Sequence, residues 1–122
     1  MGRNILVIED EPNISEAIGF ILSRDGWRVA THANGVDAAD AVRSRRPDLV
    51  ILDVMLPGRS GYDILKELRA DAGTADLPVL MLTARGQAKD REMAATAGAS
   101  RFMTKPFSNA EVLEAVRDLV RE

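Results

Sequence analysis

The sequence predicts an α/β fold, one doubly wound domain in which a five-stranded parallel sheet carries helices on both faces. Three observations predict it. Short apolar runs alternate with segments of helical periodicity along residues 1–122, the alternation that builds parallel sheets from strand–helix–strand units. The runs 5–8, 49–52 and 79–82 are apolar at every position, as strands covered on both faces must be. The intervening segments repeat their apolar residues every three or four positions, which marks a single buried stripe on a helix.

The elements follow in order. Ile5-Leu6-Val7-Ile8 is the first strand, and Ile14, Ala17, Ile18, Ile21 and Leu22 stripe the first helix. Trp27 to Ala30 is a weaker second strand; Arg28 and Thr31 make it alternate, which suits an edge. Ala38, Ala41 and Val42 mark the second helix, with Asn34 and Asp37 as its expected N-cap and first-turn acid. Leu49 to Leu52 is the third strand. Ser60 caps a third helix striped by Ile64, Leu65 and Leu68, with Asp63 in its first turn. Val79 to Leu82 is the fourth strand and Phe102-Met103 marks the fifth. Ser108-Asn109-Ala110-Glu111 reads as a capping box opening the last helix, striped by Val112, Val116, Leu119 and Val120. Gly26 and Gly98 stand where helix C-caps belong.

Composition narrows the function classes. Hydrophobic residues are 46% of the chain, charged residues 29%, and the net charge is −3, an ordinary globular balance. No Lys/Arg cluster forms a nucleic-acid footprint; Arg43-Ser44-Arg45-Arg46 is short and reads as a solvated helix end. No apolar stretch approaches the ~20 residues of a membrane span. The chain has no cysteine, so disulfides and thiolate chemistry are excluded. Met1 to Asn4 leads straight into a strand without a signal-peptide pattern, and a cytoplasmic protein is expected.

The charges at the strand ends point to chemistry. Glu9, Asp10 and Glu11 follow the first strand, Asp53 the third, Thr83 the fourth and Lys105 the fifth. In a parallel sheet these ends lie on one edge, where open α/β sheets bind ligands. Asp10, Asp53, Thr83 and Lys105 are therefore expected to converge. Carboxylates that close repel by about 4 kcal/mol per pair at an effective dielectric near 20. A divalent cation relieves this, and all-oxygen ligands favour Mg²⁺, with Mn²⁺ as a substitute. With a lysine, a hydroxyl and a nucleophilic aspartate, such an edge is suited to carrying a phosphoryl group on a carboxylate.

The stretches "ILVIEDEP" (5–12), "PDLVILDVMLPGRSGYDIL" (47–65), "PVLMLTA" (78–84), "GAS-F" (98–102) and "TKPF" (104–107) resemble the receiver domain of bacterial two-component response regulators over essentially the whole chain. The resemblance implies strand order 2-1-3-4-5, the flavodoxin-like arrangement. It implies that Asp53 accepts a phosphoryl group from a sensor histidine kinase or phosphotransfer protein. It implies metal binding by Asp10, by Asp53 and by the backbone carbonyl of Met55, with Glu9 acting through water in a place where the family usually has aspartate. Lys105 matches the lysine that contacts the phosphoryl oxygens, the Lys105-Pro106 bond the family's cis peptide, and Thr83 and Phe102 a hydroxyl–aromatic relay. Met55 and Arg85, two positions beyond Asp53 and Thr83, stand on the path of attacking water; neither is a good general base, which implies slow loss of the phosphoryl group.

Blander readings stand beside these. Phe102 also fits ordinary packing, Thr83 a turn, and Met55, Met81 and Met103 core or strand positions. Glu111 fits the capping box or a pair with Arg91 across an interface. His32 is expected far from the acidic edge and is given no role. Gly86 to Ala97 offers mainly alanine and Met93, the profile of a helix of low local stability or of a thin surface helix.

A Mg²⁺-dependent phosphatase with an aspartyl nucleophile is the competing reading; its family carries a second aspartate where this chain has Met55, which moves no proton. A nucleotide or flavin site is disfavoured because Glu9 to Asn13 lacks glycines and presents acids. The expected output is an unidentified protein or domain reached through the fourth helix, fifth strand and fifth helix, without direct nucleic-acid or membrane contact by this domain. Dimerisation through that face is disfavoured: Ser100-Arg101 and Ala115 stand where the large transcriptional branch of the family carries charge partners, leaving Arg91 and Glu111, so a mainly monomeric protein is expected.

Overall fold

The computed structural model describes residues 3–84 and 88–120. Its elements run β1 Asn4–Ile8, α1 Pro12–Arg24, β2 Arg28–His32, α2 Ala38–Arg45, β3 Leu49–Asp53, α3 Gly61–Ala70, β4 Val79–Thr83, α4 Ala88–Ala97, β5 Arg101–Thr104 and α5 Asn109–Val120. The strands pair in parallel in the order β2-β1-β3-β4-β5. Each strand carries the two-residue alternation of a pleated sheet. Leu6, Ile8, Val50, Leu52, Val79 and Met81 face α2, α3 and α4. Ile5, Val7, Leu49, Ile51, Leu80 and Leu82 face α1 and α5. This double cover is why the three central runs are apolar throughout.

The helices differ in their anchorage. α3 buries Ile64, Leu65 and Leu68, whereas α4 buries only Ala94 and Ala97, and Met93 is 43% exposed. A fully buried leucine or isoleucine contributes about 1.5–3 kcal/mol, so α4 has far less apolar stabilisation than its neighbour. Polar contacts hold it instead: Tyr62 Oη donates to the Asp90 carbonyl at 3.4 Å, and Arg69 Nε donates to the Gly98 carbonyl at 2.8 Å.

Most caps agree with the sequence. Ser60 Oγ accepts from the Tyr62 amide. Ser108 and Glu111 exchange reciprocal side-chain-to-backbone bonds of 2.8 and 3.1 Å. Backbone bonds across Gly26 and Gly98 close α1 and α4. Asn34 is a correction. Asp37 is the N-cap residue of α2 and makes no side-chain cap bond; Asn34 Oδ1 instead accepts from the Val36 amide at 2.7 Å. A short amide side chain bonding its own backbone two residues on makes a turn as readily as a cap.

Met55 is a second correction. It is 73% exposed and belongs to neither core nor strand, because β3 ends at Asp53 and the chain leaves the sheet there. Met81 and Met103 are strand residues in the core. Among the described residues no helix is long and apolar enough to cross a membrane.

Candidate functional site

The C-terminal ends of β1, β3, β4 and β5 bring the expected residues together. Asp53 is the last residue of β3, Thr83 the last of β4, and Glu9 and Asp10 follow β1 directly. Carboxylate oxygens of Glu9, Asp10 and Asp53 lie within 4.8 Å of one another, with Glu9 and Asp53 buried and Asp10 exposed. Lys105, just past β5, reaches into this cluster. Its Nζ is 2.9 Å from Glu9 Oε1, 3.2 Å from Asp53 Oδ1 and 3.4 Å from Glu11 Oε1. The Glu9 contact is an ion pair without hydrogen-bond alignment, so this buried oxygen has no hydrogen-bond partner. The other oxygen, Oε2, accepts from the Glu11 amide at 3.1 Å.

The electrostatics follow from burial. Burial is the main cause that pushes both Glu9 and Asp53 above the ordinary carboxylate range, and Lys105 only partly counters it. Burial pulls the Lys105 ammonium down, but Glu9 and Asp53 together carry it above its usual value. Lys105 is thus a firm cation between carboxylates that resist ionisation. Three oxygen donors, one of them a buried oxygen lacking a hydrogen bond, fit a hard divalent cation such as Mg²⁺.

Local backbone geometry aims Asp53. The neighbouring Met55 amide favours the ionised form of its carboxylate, against the larger effect of burial. The β3–α3 loop turns through Gly58, whose φ of +84° disfavours any other residue. At Gly61 a Cβ would stand 2.2 Å from the Asp53 carbonyl oxygen, so α3 starts against the strand end only because this residue lacks a side chain. The Lys105-Pro106 peptide bond is cis.

Thr83 is 4% exposed, and the alternation that turns Val79 and Met81 toward α4 turns Thr83 there too. Phe102 pairs in register with Met81, is half-buried and packs against the same cluster. The Arg91 guanidinium lies 5.4 Å from the centre of its ring. Arg85 lies outside the described residues.

His32 corrects an expectation. It ends β2 on the same sheet edge as the acids, its carbonyl accepts from the Glu9 amide at 3.0 Å, and it lines a cleft with Glu9 and Asp10. Its Nε2 bonds Asp37 Oδ1 at 2.7 Å. The edge rule that collects Asp10 and Asp53 applies equally to the end of the second strand, and it carried this signal. Sequence reasoning also missed the contact of Glu9 with Lys105 and the close approach at Gly61; a glycine directly after the Ser60 cap was the available sign of the latter.

Comparison with known proteins shows the family. Residues 5–117 match the family described as the response regulator receiver domain. The chain is 44% identical over 117 residues to the "Probable transcriptional regulatory protein TcrX" of Mycobacterium tuberculosis, covering 96% of this chain and 49% of that one. It is 40% identical over 121 residues to the phosphate regulon transcriptional regulatory protein PhoB of Escherichia coli, covering 99% and 53%. The chain thus spans about half the length of the curated relatives it matches. Among solved structures, the receiver domain of the sensor histidine kinase PA1611 from Pseudomonas aeruginosa superposes with a TM-score of 0.91 at 31% identity, each chain fully covered; it carries a magnesium ion in its active-site cleft. The receiver domain of Klebsiella pneumoniae RstA, activated with BeF3, gives 0.89 at 27% identity, covering 98% and 100%.

Proposed function

The chain belongs to the response regulator receiver domain family, and from that premise we propose that it is a switch set by phosphorylation of Asp53 and read through the surface of α4, β5 and α5. One observation carries this reading: Glu9, Asp10 and Asp53 converge within 4.8 Å, with the Lys105 ammonium among them. Residues 1–122 then act as a single receiver domain.

Asp10, Asp53 and the Met55 carbonyl would hold Mg²⁺, with Glu9 contributing through water, and Mn²⁺ would serve as a substitute. The bound cation supplies charge neutralisation for the transferring phosphoryl oxygens. Asp53, in its ionised form, attacks phosphorus. The bond from phosphorus to the donor's imidazole nitrogen breaks, and that nitrogen keeps the electron pair and takes a proton. Lys105 shifts its ammonium toward the new phosphoryl oxygens. Thr83 donates its hydroxyl to one of them, and Phe102 follows into the space this leaves. The domain thus catalyses its own transfer without being a turnover enzyme. Met55 is exposed and apolar and Arg85 basic, so neither activates water and the acyl phosphate decays slowly.

The donor is a sensor histidine kinase or phosphotransfer protein in the cytoplasm, and the output is a partner protein or domain that takes no direct part in this site. Nucleic acid and membrane are not bound by this domain. The phosphorylated domain is mainly monomeric. Arg101 pairs with Asp118 at 2.7 Å, Glu111 bonds the Ser108 amide, and Arg91 lies over Phe102, so these charged residues of the α4–β5–α5 face already have contacts within one molecule. Light scattering with beryllofluoride at tens of micromolar should give a monomer's mass; a tight dimer through this face contradicts it.

The central experiment uses Mg²⁺ and acetyl phosphate with intact-mass spectrometry. The protein should gain one phosphoryl group, and Asp53→Asn should gain none. Equal labelling of the variant overturns the assignment. Steady turnover of phosphate esters would favour the phosphatase reading, which Met55 opposes.

A further inference from the structure

Strand β2 ends the sheet on the side away from β5. The Arg28 amide donates to the Arg3 carbonyl at 2.9 Å, and the His32 carbonyl accepts from the Glu9 amide at 3.0 Å. In a parallel ladder a residue turns its N–H and its C=O to the same side, and successive residues alternate. Arg28, Ala30 and His32 therefore bond β1, in the register that sets Arg28 beside Asn4 and His32 beside Ile8. Val29 and Thr31 turn their N–H and C=O groups outward, away from the sheet. Edge groups of this kind are ready to pair with an added strand.

Positive charge gathers beside this edge. A cleft of about 320 Å³ opens between β2 and the end of α2, lined by Asn4, Leu6, Ala30 and Pro47 and by Arg28 and Arg45. Both arginines are exposed, as is the neighbouring Arg46. None of the three has a side-chain hydrogen bond, ion pair or ring contact among the described residues. Every other arginine among those residues holds a partner, whether a carboxylate, a backbone carbonyl or an aromatic ring. Asp48, the next acid along the chain, accepts from the Asn4 amide at 2.7 Å instead. In a chain of net charge −3, the guanidiniums left without an acid meet at one corner of the sheet.

We propose that the open edge of β2 is a docking surface for an acidic, extended segment of a partner protein, which joins the sheet through Val29 and Thr31 and sets carboxylates against Arg28 and Arg45. A strand laid along β2 runs about 4.8 Å away, and every second side chain on it faces the α2 side, over the cleft. Carboxylates at those positions meet two guanidiniums whose donor forks are free, the geometry that suits arginine to carboxylate. A second copy of this chain would bring the same arginines to the edge, so like charge opposes it. Nucleic acid is the poorer fit, because its salt-sensitive sites typically make about 6–10 phosphate contacts and this corner offers three guanidiniums. The surface lies apart from the Asp53 cluster and from the α4–β5–α5 face, so it stands independently of the phosphorylation reading.

The test is an amide-resonance titration with the peptide acetyl-Glu-Val-Glu-Val-Glu-amide at millimolar concentration in about 0.15 M salt, with acetyl-Lys-Val-Lys-Val-Lys-amide as its control. The acidic probe should shift the Val29 and Thr31 amides saturably and to lower field, as new hydrogen bonds require. Arg28→Gln and Arg45→Gln should each weaken binding by about two- to fivefold, the effect of one exposed ion pair. Arg46→Gln should not, since Arg46 lines the neighbouring cleft with Asp71. Thr31→Pro removes an outward N–H and no bond to β1, a change that edge strands tolerate, and it should abolish the Val29 shift. The arginine variants alter only exposed side chains and carry the test independently of the proline. Equal shifts with the basic probe overturn the proposal, as does an acidic probe that moves arginine side-chain resonances but neither edge amide. Edge amides that shift with protein concentration alone assign the edge to a second copy and overturn it too. So does a short DNA duplex that binds this corner more tightly than the acidic probe.

Discussion

Lys105 Nζ lies 2.9 Å from Glu9 Oε1 and 3.2 Å from Asp53 Oδ1, so one ammonium is shared between two buried carboxylates. The glutamate side chain at position 9 reaches the lysine directly. Asp53 therefore competes with Glu9 for this counter-charge.

That competition sets the acidity of Asp53. Glu9→Gln removes a neighbouring negative charge and releases Lys105 to Asp53, and both changes favour the ionised carboxylate. Asp53 is expected to titrate at lower pH in this variant than in wild type, followed by carboxyl carbon chemical shifts. Lys105→Met should move it the opposite way. A midpoint unchanged in Glu9→Gln would mean that the lysine contact carries no weight.

The raised pKa values of Glu9 and Asp53 make a prediction about stability. Burial is their main cause. Each group binds its proton more tightly in the folded chain, so its contribution is complete below the unfolded value near 4 and is lost as pH rises through the folded value. Asp25 and Glu67 have the opposite sign. Arg117 holds Asp25 low, while Arg43 and Arg59 hold Glu67 low, and their contribution is lost as pH falls through those lowered values. Metal-free protein should melt higher at about pH 5 than at about pH 7.5, then lose stability below about pH 4. Asp53→Asn should flatten the rise between the first two. A wild-type melting point that only falls on acidification would contradict it.

The relay is tested through α4. This helix buries only two alanines, so little apolar surface resists its displacement. Thr83→Ala should still be phosphorylated, but beryllofluoride should move the amide resonances of residues 88–107 far less than in wild type. Arg91→Ala should free the Phe102 ring, now covered at 5.4 Å, and enlarge those shifts. Full wild-type shifts in Thr83→Ala would end the relay reading.

How much of this was legible in the sequence depended on which physical rule governed each residue. Runs 5–8, 49–52 and 79–82 announced β1, β3 and β4 because burial on both faces leaves no polar position. The convergence of Asp53 and Lys105 followed because a parallel sheet puts every strand end on one edge. The same rule placed His32 there, and its lack of an acidic or basic neighbour in sequence hid the fact. Asn34 misled because caps and turns draw on the same side chain. Glu9 touching Lys105, and Glu67 serving Arg43 and Arg59 at once, depend on rotamers of residues far apart in the chain; no local pattern encodes them.

The last prediction concerns metal and charge together. Glu9, Asp10 and Asp53 crowd within 4.8 Å, and Lys105 supplies one positive charge against three negative. An unfolded chain lets the acids separate, so the metal-free fold carries this repulsion as a cost. Asp53→Asn removes one of the three negative charges and keeps the side chain's size. It also forfeits the 3.2 Å pair with Lys105, but the raised pKa of Asp53 shows that burial outweighs that pair. The variant is expected to gain about 1 kcal/mol at pH 7, or roughly 3–6 °C in melting temperature. Mg²⁺ should stabilise wild type by mass action, about 2.7 kcal/mol at a hundredfold excess over its dissociation constant. Because the variant lacks one charged ligand, the metal's effect should shrink in it, and the two melting curves should approach or cross as Mg²⁺ is added. Four thermal melts, each protein with and without millimolar Mg²⁺, contain the whole comparison. A variant that melts below wild type without metal would mean that the lysine pair dominates the site. Equal Mg²⁺ stabilisation of the two would mean that Asp53 is not among the ligands.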